Sequence, residues 1–346
     1  MPIGFNSGEL GQHSGVDRPE LRSAIHTMPK AGAPSLSGCG TNWRMPQLPS
    51  CTGLAKTAGV SVSGMTTAAA SSNEEQAKYW SEEGGLSWVR DQQLFDLMLS
   101  PFNTQLRQRL NLQSGERVLE IGCGFGTTAL DLAQSGAAVH GVDISPPMIE
   151  RAQERAREVH VDATFLVADA QEDPLGGPYD AAFSRFGVMF FADPVRAFRN
   201  IASSMRPNGR LAFVCWQPLE RNPWINAAVT VLSDLLEDPP PPAAGDAPGP
   251  FAFADPDRTS ALLAEAGWVN IMFDSYDVPI RMGGENGIAG AVEQSLSSSV
   301  ARKLLALGTP ALRDRAAEIL HEQFSGQATD GVVYSTGATW IFTADC

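Results

Sequence analysis

The stretch "RVLEIGCGFGTTALDLAQSG", Arg117–Gly136, decides the fold. An apolar run meets an acid, Glu120, and glycines follow at 122, 124 and 126 before a helical pattern begins. Strand, tight glycine turn and helix in that order form the entrance to a parallel α/β unit, because bare backbone lets a ligand come close beside a helix N-terminus. The spacing departs from the dinucleotide fingerprint G-x-G-x-x-G: position 127 is Thr, and the third glycine comes one residue early. A carboxylate at Glu120 would repel a pyrophosphate, and it suits a ligand carrying positive charge.

Outward from this turn, strands are predicted at 117–121, 138–142, 164–168, 179–184 and 210–216, with helices at 128–134, 147–159 and 194–205 between them. Apolar strands alternating with helices imply an α/β fold, a parallel sheet covered on both faces. Upstream, "SSNEEQAKYW" offers a capped helix start, and "WVRDQQLFDLMLSPFNTQLRQRL" continues with helical periodicity. Downstream, "EDPPPPAAGDAPGP" is a loop, "DPDRTSALLAEAGW" a capped helix and "VNIMFDSYDVPI" a strand. Helices are predicted at about 287–307 and 310–324, and "VVYSTGATWIFTA" closes the chain as a strand. Residues 1–73 are rich in Gly, Ser, Pro and Thr without a sustained period, and are expected to be a disordered or dispensable extension. Translation starting at Met65 is the other reading of that segment. The domain proper is expected over 74–346: a helical cover at 74–112, a cofactor-binding core at 113–216 and a substrate-side half at 217–346.

Composition narrows the function classes. Of 346 residues, 43% are hydrophobic, and the net charge is −14. An acidic chain without a basic run disfavours nucleic acid as a partner. No apolar stretch reaches the length of a membrane span. The cysteines at 39, 51, 123, 215 and 346 are scattered without a CxxC pair, which argues against zinc or a disulfide framework and points to the reducing cytoplasm. No metal site is expected.

The acids at the strand ends point to a nucleoside. Asp143 lies 21 residues past Gly122 at the end of the second strand, where a carboxylate accepts hydrogen bonds from ribose hydroxyls. Asp169, in "VADAQEDP", lies at the carboxyl edge of the third strand and could accept a bond from an adenine amine. Each has a plainer reading: Glu120 as a solvated strand-end acid, Asp143 as a helix cap before Ser145, Asp169 as a turn residue, Cys123 as a small residue in the turn. None of the five histidines sits in a motif, and no residue is singled out as catalytic.

Together "VLEIGCGFGTTALDLA", "GVDISPPMIERAQERA", "FLVADAQEDPL" and "YDAAFSRFGVMFFADPVRAFRNIASSMRPNGRLAFVCW" resemble the ordered motifs of the class I S-adenosylmethionine-dependent methyltransferases, of the small-molecule type that includes the ubiquinone and menaquinone biosynthesis enzymes. The likeness covers about 75–216. It implies a Rossmann-like, doubly wound, seven-stranded, mostly parallel sheet with an antiparallel strand at one edge. It implies S-adenosylmethionine as cofactor, with its methionine end over the glycine turn and its amine held by Glu120, often indirectly. The implied cofactor contacts are Glu120, Gly122, Cys123, Gly124, Gly126, Asp143, Ile144, Asp169, Ala170, Ser184 and Arg185. "YWSEEGGLSWV" is similar to the N-terminal cover of such enzymes. In place of the family's usual final pairing of strands six and seven, two extra helices are expected between them.

The partner is expected to be a small-molecule methyl acceptor, and an apolar or flat one. "SRFGVMFF" and "CWQPLERNPWIN" bring Phe186, Met189, Trp216 and Trp224 to its side, although Met189 and Phe190 equally suit the core of a short helix. The cover at 79–88 and the helices of 287–324 are expected to close over the acceptor. Two other readings stay open. An NAD(P)-dependent oxidoreductase is disfavoured by Thr127, Glu120 and the lack of a Tyr–Lys pair. A non-catalytic S-adenosylmethionine-binding protein needs no further signature. The acceptor, the atom methylated and the oligomeric state stay open too.

Overall fold

The computed structural model describes residues 73–241 and 247–346. All but the last residue of the expected N-terminal extension lies outside the described residues. Three helices lead in: α1 (Glu74–Ser81), α2 (Glu83–Arg90) and α3 (Gln92–Leu110). The alternating core follows with β1 (Arg117–Ile121), α4 (Thr127–Gln134), β2 (Ala138–Asp143), α5 (Pro146–Val159), β3 (Ala163–Val167), β4 (Tyr179–Arg185), α6 (Pro194–Ser203) and β5 (Met205–Trp216). The remainder is α7 (Pro223–Leu235), α8 (Pro256–Glu265), β6 (Val269–Met282), α9 (Gly287–Leu296), α10 (Ser299–Leu305), α11 (Pro310–Gln327) and β7 (Val333–Asp345).

The seven strands form one sheet in the order β3-β2-β1-β4-β5-β7-β6. β1 to β5 pair in parallel, and β7 runs against both β5 and β6. The antiparallel strand therefore lies one place in from the edge, with β6 outermost. β1 is buried from Val118 to Ile121, as a parallel strand covered on both faces must be. The strand order reverses between β1 and β4, so the crevice beyond their carboxyl ends is the natural ligand position in such a sheet.

The sequence expectation departs from the structure in three places. Strands six and seven keep their pairing: the β6–β7 ladder runs from Met272↔Thr343 to Met282↔Val333, while α9 to α11 lie in the connection. A long connection tolerates this because closure entropy grows only slowly with loop length. The predicted 287–307 helix is broken at Ser298, whose hydroxyl accepts from the Ala301 amide at 3.2 Å and caps α10. α7 was not foreseen. Pro223 opens it, and Asn222 ties its start to β7 by accepting from the Ala338 amide at 3.0 Å.

α3 crosses behind the core. Phe102 is fully buried there and meets Phe186 and Trp216 edge-on at 5.1 and 5.5 Å. This packing holds the turn after β4 in place from below.

Candidate functional site

The three glycines of the turn after β1 are left-handed, with φ of 63°, 53° and 78° at Gly122, Gly124 and Gly126. At Gly122 the reason is also contact: a Cβ there would lie 2.7 Å from the Cα of Gly187, in the turn after β4. Two backbones touch at this point, and only glycine pairs can do so. Phe186, just before Gly187, itself has φ of 64°, a strained value for an aromatic residue of the kind that collects at ligand sites.

Around the turn lies a pocket of about 900 Å³ of non-protein space, part of it open to solvent. The carboxyl ends of β1, β2, β3 and β4 line it through Glu120, Gly122, Cys123, Gly124, Asp143, Ile144, Asp169, Ala170, Arg185 and Phe186. Gly126 stands just behind, as the residue before α4, and a Cβ on it would strike the Phe165 ring at 2.8 Å.

Each acid has a distinct setting. Asp143 is buried, its Oδ2 accepting from the Gly124 amide at 2.8 Å and its Oδ1 from the Ser145 amide at 2.9 Å. It bolts the glycine turn to the end of β2, and each oxygen keeps a second lone pair for a ligand hydroxyl. Burial pushes its pKa up to about 6, with the amides of Gly124, Ser145 and Ile144 pulling the other way. Asp169 Oδ1 accepts from Asn73 Nδ2 at 3.0 Å and from the Gln171 amide at 2.8 Å. It is thus a turn residue and a pocket residue at once.

Glu120 is buried deeper, and burial lifts its pKa to about 8, offset only in part by the Arg185 charge and the nearby Ala129 amide. Burial lowers the pKa of Arg185, with Glu120, Asp96 and Asp131 holding it up. Glu120 Oε2 and Arg185 Nη1 are both buried without a hydrogen-bond partner among the described residues. Such groups cost free energy unless something else satisfies them. Cys123 is pushed well up by burial and is no nucleophile.

Besides Gly126, four of the residues singled out in the sequence stand back from the pocket wall. Ser184 is wholly buried. It donates to the Ile121 carbonyl at 2.8 Å and accepts from the Gly187 and Val188 amides at 3.1 and 3.2 Å, so it braces the β4 turn rather than facing a ligand. Met189 is 1% exposed, on the short 3-10 turn that directs Phe190 to the pocket instead. Trp216 stacks beneath Phe186 at 4.1 Å, and Trp224 packs on Trp216 at 5.0 Å. These two form a second row that supports Phe186. A strand-end aromatic reaches the crevice only if its neighbour leaves room, and spacing along the chain does not encode that.

The wall facing them comes from the leading helices. Asn73, Gln76, Trp80 and Trp88 line the pocket with Leu99 of α3 and with Phe190 and Phe191. Trp80 meets Phe190 edge-on at 5.1 Å, and its carbonyl accepts from Ser145 Oγ at 2.6 Å. Asn73 accepts from the Ala192 amide at 3.1 Å besides donating to Asp169. The helices of 287–327 do not line the pocket. Their link to the cover is Arg302 of α10, which donates to Glu83 Oε1 and to the Tyr79 hydroxyl, both at 2.7 Å. Trp80 and Trp88 lie in the stretch already marked as cover; the signal that could have assigned them to the site was their aromatic character beside Gly84 and Gly85, which are buried.

Among the described residues no helix is long and apolar enough to cross a membrane, and no group of three or more His, Cys, Asp and Glu side chains is gathered as for a metal ion. A family model described as a methyltransferase domain matches residues 118–209. The chain is 39% identical over 107 residues to aklanonic acid methyltransferase DauC of Streptomyces sp. (strain C5), a match covering 29% of this chain and 48% of that one. It is 33% identical over 138 residues to 27-O-demethylrifamycin SV methyltransferase of Amycolatopsis mediterranei, covering 39% and 48%. The matched segment thus spans about half the length of these curated relatives. The solved YcgJ protein of Bacillus subtilis is similar with a TM-score of 0.49 at 16% identity, over 71% of this chain and 98% of that one. The matched segment is the part of the chain that builds the glycine turn and the strand ends around the pocket, and over that segment the chain is similar to methyltransferase domains.

Proposed function

We propose that this chain transfers a methyl group from S-adenosylmethionine to a small apolar or aromatic molecule. The observation that carries this reading is the pair of buried, unsatisfied groups of opposite charge, Glu120 Oε2 and Arg185 Nη1, in a glycine-turn pocket. They fit a ligand with an ammonium and a carboxylate, and a pyrophosphate would meet a carboxyl group instead. Asp143 and Ile144 on β2, with Asp169 and Ala170 after β3, would hold the nucleoside. The turn residues Gly122, Cys123, Gly124 and Gly126 would carry the amino-acid end.

When bound, the cofactor supplies an electrophilic methyl group on a sulfonium. The chain's own residues hold and exclude. Phe186, Phe190, Trp80 and Trp88 offer a flat acceptor an apolar, largely aromatic surface, and the cover keeps water out. No side chain is assigned as a general base. Holding two reactants in line can itself supply about 7–11 kcal/mol in favourable cases. The small-molecule acceptor is supported by the two relatives named for methylating aklanonic acid and 27-O-demethylrifamycin SV. The free thiols at Cys123, Cys215 and Cys346 support a reducing compartment, the cytoplasm, as its setting.

The test is calorimetric titration with S-adenosylmethionine and with NAD, followed by turnover of labelled cofactor against a panel of apolar and aromatic acceptors that includes aklanonic acid and 27-O-demethylrifamycin SV. S-adenosylmethionine binding and label transfer to an acceptor are expected. NAD binding without S-adenosylmethionine heat overturns the cofactor. Binding without transfer to any acceptor overturns the enzyme reading in favour of a binding protein.

A further inference from the structure

Asn73, the residue before α1, departs from the usual habit of its type. An asparagine there ordinarily caps its own helix, yet this side chain makes no capping bond. It is buried instead, at 7% exposure, and both ends of its amide reach other elements. Nδ2 donates to Asp169 Oδ1 at 3.0 Å, just beyond β3, and Oδ1 accepts from the Ala192 amide at 3.1 Å, between β4 and α6. The Gln171 amide also donates to Asp169 Oδ1, at 2.8 Å, so both lone pairs of that oxygen are taken. Among the described residues nothing donates to Oδ2, and Asp169 lines the pocket. An aspartate carboxylate turns easily about its last bond, whose preferences are broad and two-fold. The two donors on Oδ1 therefore set which way Oδ2 faces, and one of them belongs to the cover. The other end of α1 is tied through the Trp80 carbonyl to Ser145, whose amide holds Asp143.

Resting on the cofactor reading above, we propose that Asn73 is a positioning residue for the nucleobase: it fixes the Asp169 carboxylate so that Oδ2 accepts from the exocyclic amine of adenine, and it thereby makes base selection depend on a closed cover. The coupling is reciprocal. An amine bound to Oδ2 holds the carboxylate in the orientation that Asn73 grips, so the base in turn steadies the start of α1. A purine with a carbonyl in place of that amine sets an acceptor against an acceptor and leaves a charged group unsatisfied, which a site built for a hydrogen bond rejects strongly. The ring N–H of such a purine lies beside the carbonyl, and only a carboxylate free to turn can follow it there. Loss of Asn73 therefore relaxes base selection as well as loosening the cover. The two effects are separable, because Arg302 holds the same cover from α10 through Glu83 and Tyr79, away from Asp169.

The test titrates S-adenosylhomocysteine and S-inosylhomocysteine, which differ only at that position of the base, calorimetrically into the full chain and two variants. The unmodified protein is expected to bind S-adenosylhomocysteine about tenfold or more tighter. Asn73→Leu, close in size but without a donor, should cut that ratio to about threefold or less, mainly by weakening S-adenosylhomocysteine. Arg302→Ala should weaken both ligands alike and keep the ratio. On the unmodified protein, saturating S-adenosylhomocysteine should slow hydrogen exchange at the Ala192 amide and across 74–81 more than saturating S-inosylhomocysteine does. Equal affinities, or equal protection by the two ligands, overturn the proposal, and the protection comparison decides it even if Asn73→Leu fails to fold. A folded Asn73→Leu that keeps the full ratio overturns it too, leaving Asn73 a latch for the cover alone. Failure of S-adenosylhomocysteine to bind the unmodified protein at all overturns the cofactor reading itself, a result distinct from the loss of base selection.

Discussion

At the residue scale the site turns on what a carboxylate is already holding. Asp143 reads from the sequence as a ribose contact or as a capping acid before Ser145, and in the structure both of its oxygens accept backbone amides, one of them from the glycine turn. Replacing it should therefore do two things. Asp143→Ala strands the Gly124 and Ser145 amides, which should cost about 1–3 kcal/mol of stability for each left unsatisfied. It also removes an acceptor for ribose hydroxyls, at about 1.5–3 kcal/mol per charge-assisted bond, or about ten- to a hundredfold or more in affinity. Asp143→Asn keeps the size but not the acceptors: its NH2 must face one of the same amides, donor to donor, so the turn is disturbed without a cavity. Thermal melts and S-adenosylmethionine titration on both variants check this, with both properties expected to fall. Undiminished cofactor affinity in a destabilised Asp143→Ala would leave the residue a turn brace only.

At the scale of elements, α1 and α2 lead the cover, with α2 packed on α5 and its Trp88 stacked on Phe95 of α3 at 3.9 Å. α1 and α2 rest on Trp80 against Phe190, on the Ser145–Trp80 bond and on Arg302, which bridges Glu83 and Tyr79 from α10. The Arg302–Glu83 pair is largely exposed on the glutamate side, so the bridge is worth about 1 kcal/mol or less as an ion pair. That is enough to shift an opening equilibrium a fewfold. Arg302→Ala should raise hydrogen exchange in 74–90 and speed cofactor dissociation about two- to fivefold, with exchange in β1 and β4 unchanged. Equal exchange in 74–90 would show that α10 does not hold the cover. The sequence made the strand–helix alternation legible because each central strand is a short apolar run bounded by turn residues, and that length and those flanks mark it as a strand where period alone does not. It did not make α7 legible, since that helix is apolar on most of its surface and sits between the strand ending at Trp216 and a proline loop. It assigned Met189, Trp216 and Trp224 to the pocket because apolar spacing does not tell the first row of a wall from the second. Phe186, Glu120, Asp143 and Asp169 line the pocket because the strand ends at a sheet's switch point face one crevice, whereas Arg185 entered only through the family resemblance.

For the whole molecule, the site carries an electrostatic cost that pH should expose. Burial lifts Glu120 to about 8 from an ordinary 4.5, and Asp143 to about 6 from 3.8. A carboxyl group whose pKa is raised on folding holds more protons folded than unfolded between the two values, so stability falls as pH rises through that window. For Glu120 the window runs from about 4.5 to about 8, at up to about 1.4 kcal/mol per pH unit, and the loss is complete above it. Glu116 and Asp180 have the opposite shift, their arginine and amide partners holding them low, so they cost stability only at pH values below the ordinary carboxylate range. His140, lowered by burial, adds stability as pH rises towards its ordinary 6.5, with the gain complete above it, and partly masks the trend in that range. A difference measurement removes that mask. Unfolding free energies of the ligand-free protein and of Glu120→Gln, taken by urea titration at several pH values from 5 to 9, should diverge steadily, the unmodified chain losing ground to the variant as pH rises. Saturating S-adenosylmethionine should flatten the divergence, because a bound ammonium favours the ionised carboxylate and draws its pKa down. Parallel curves without ligand would mean that Glu120 ionises like an exposed acid, and the desolvated half of the charge pair would be lost with it.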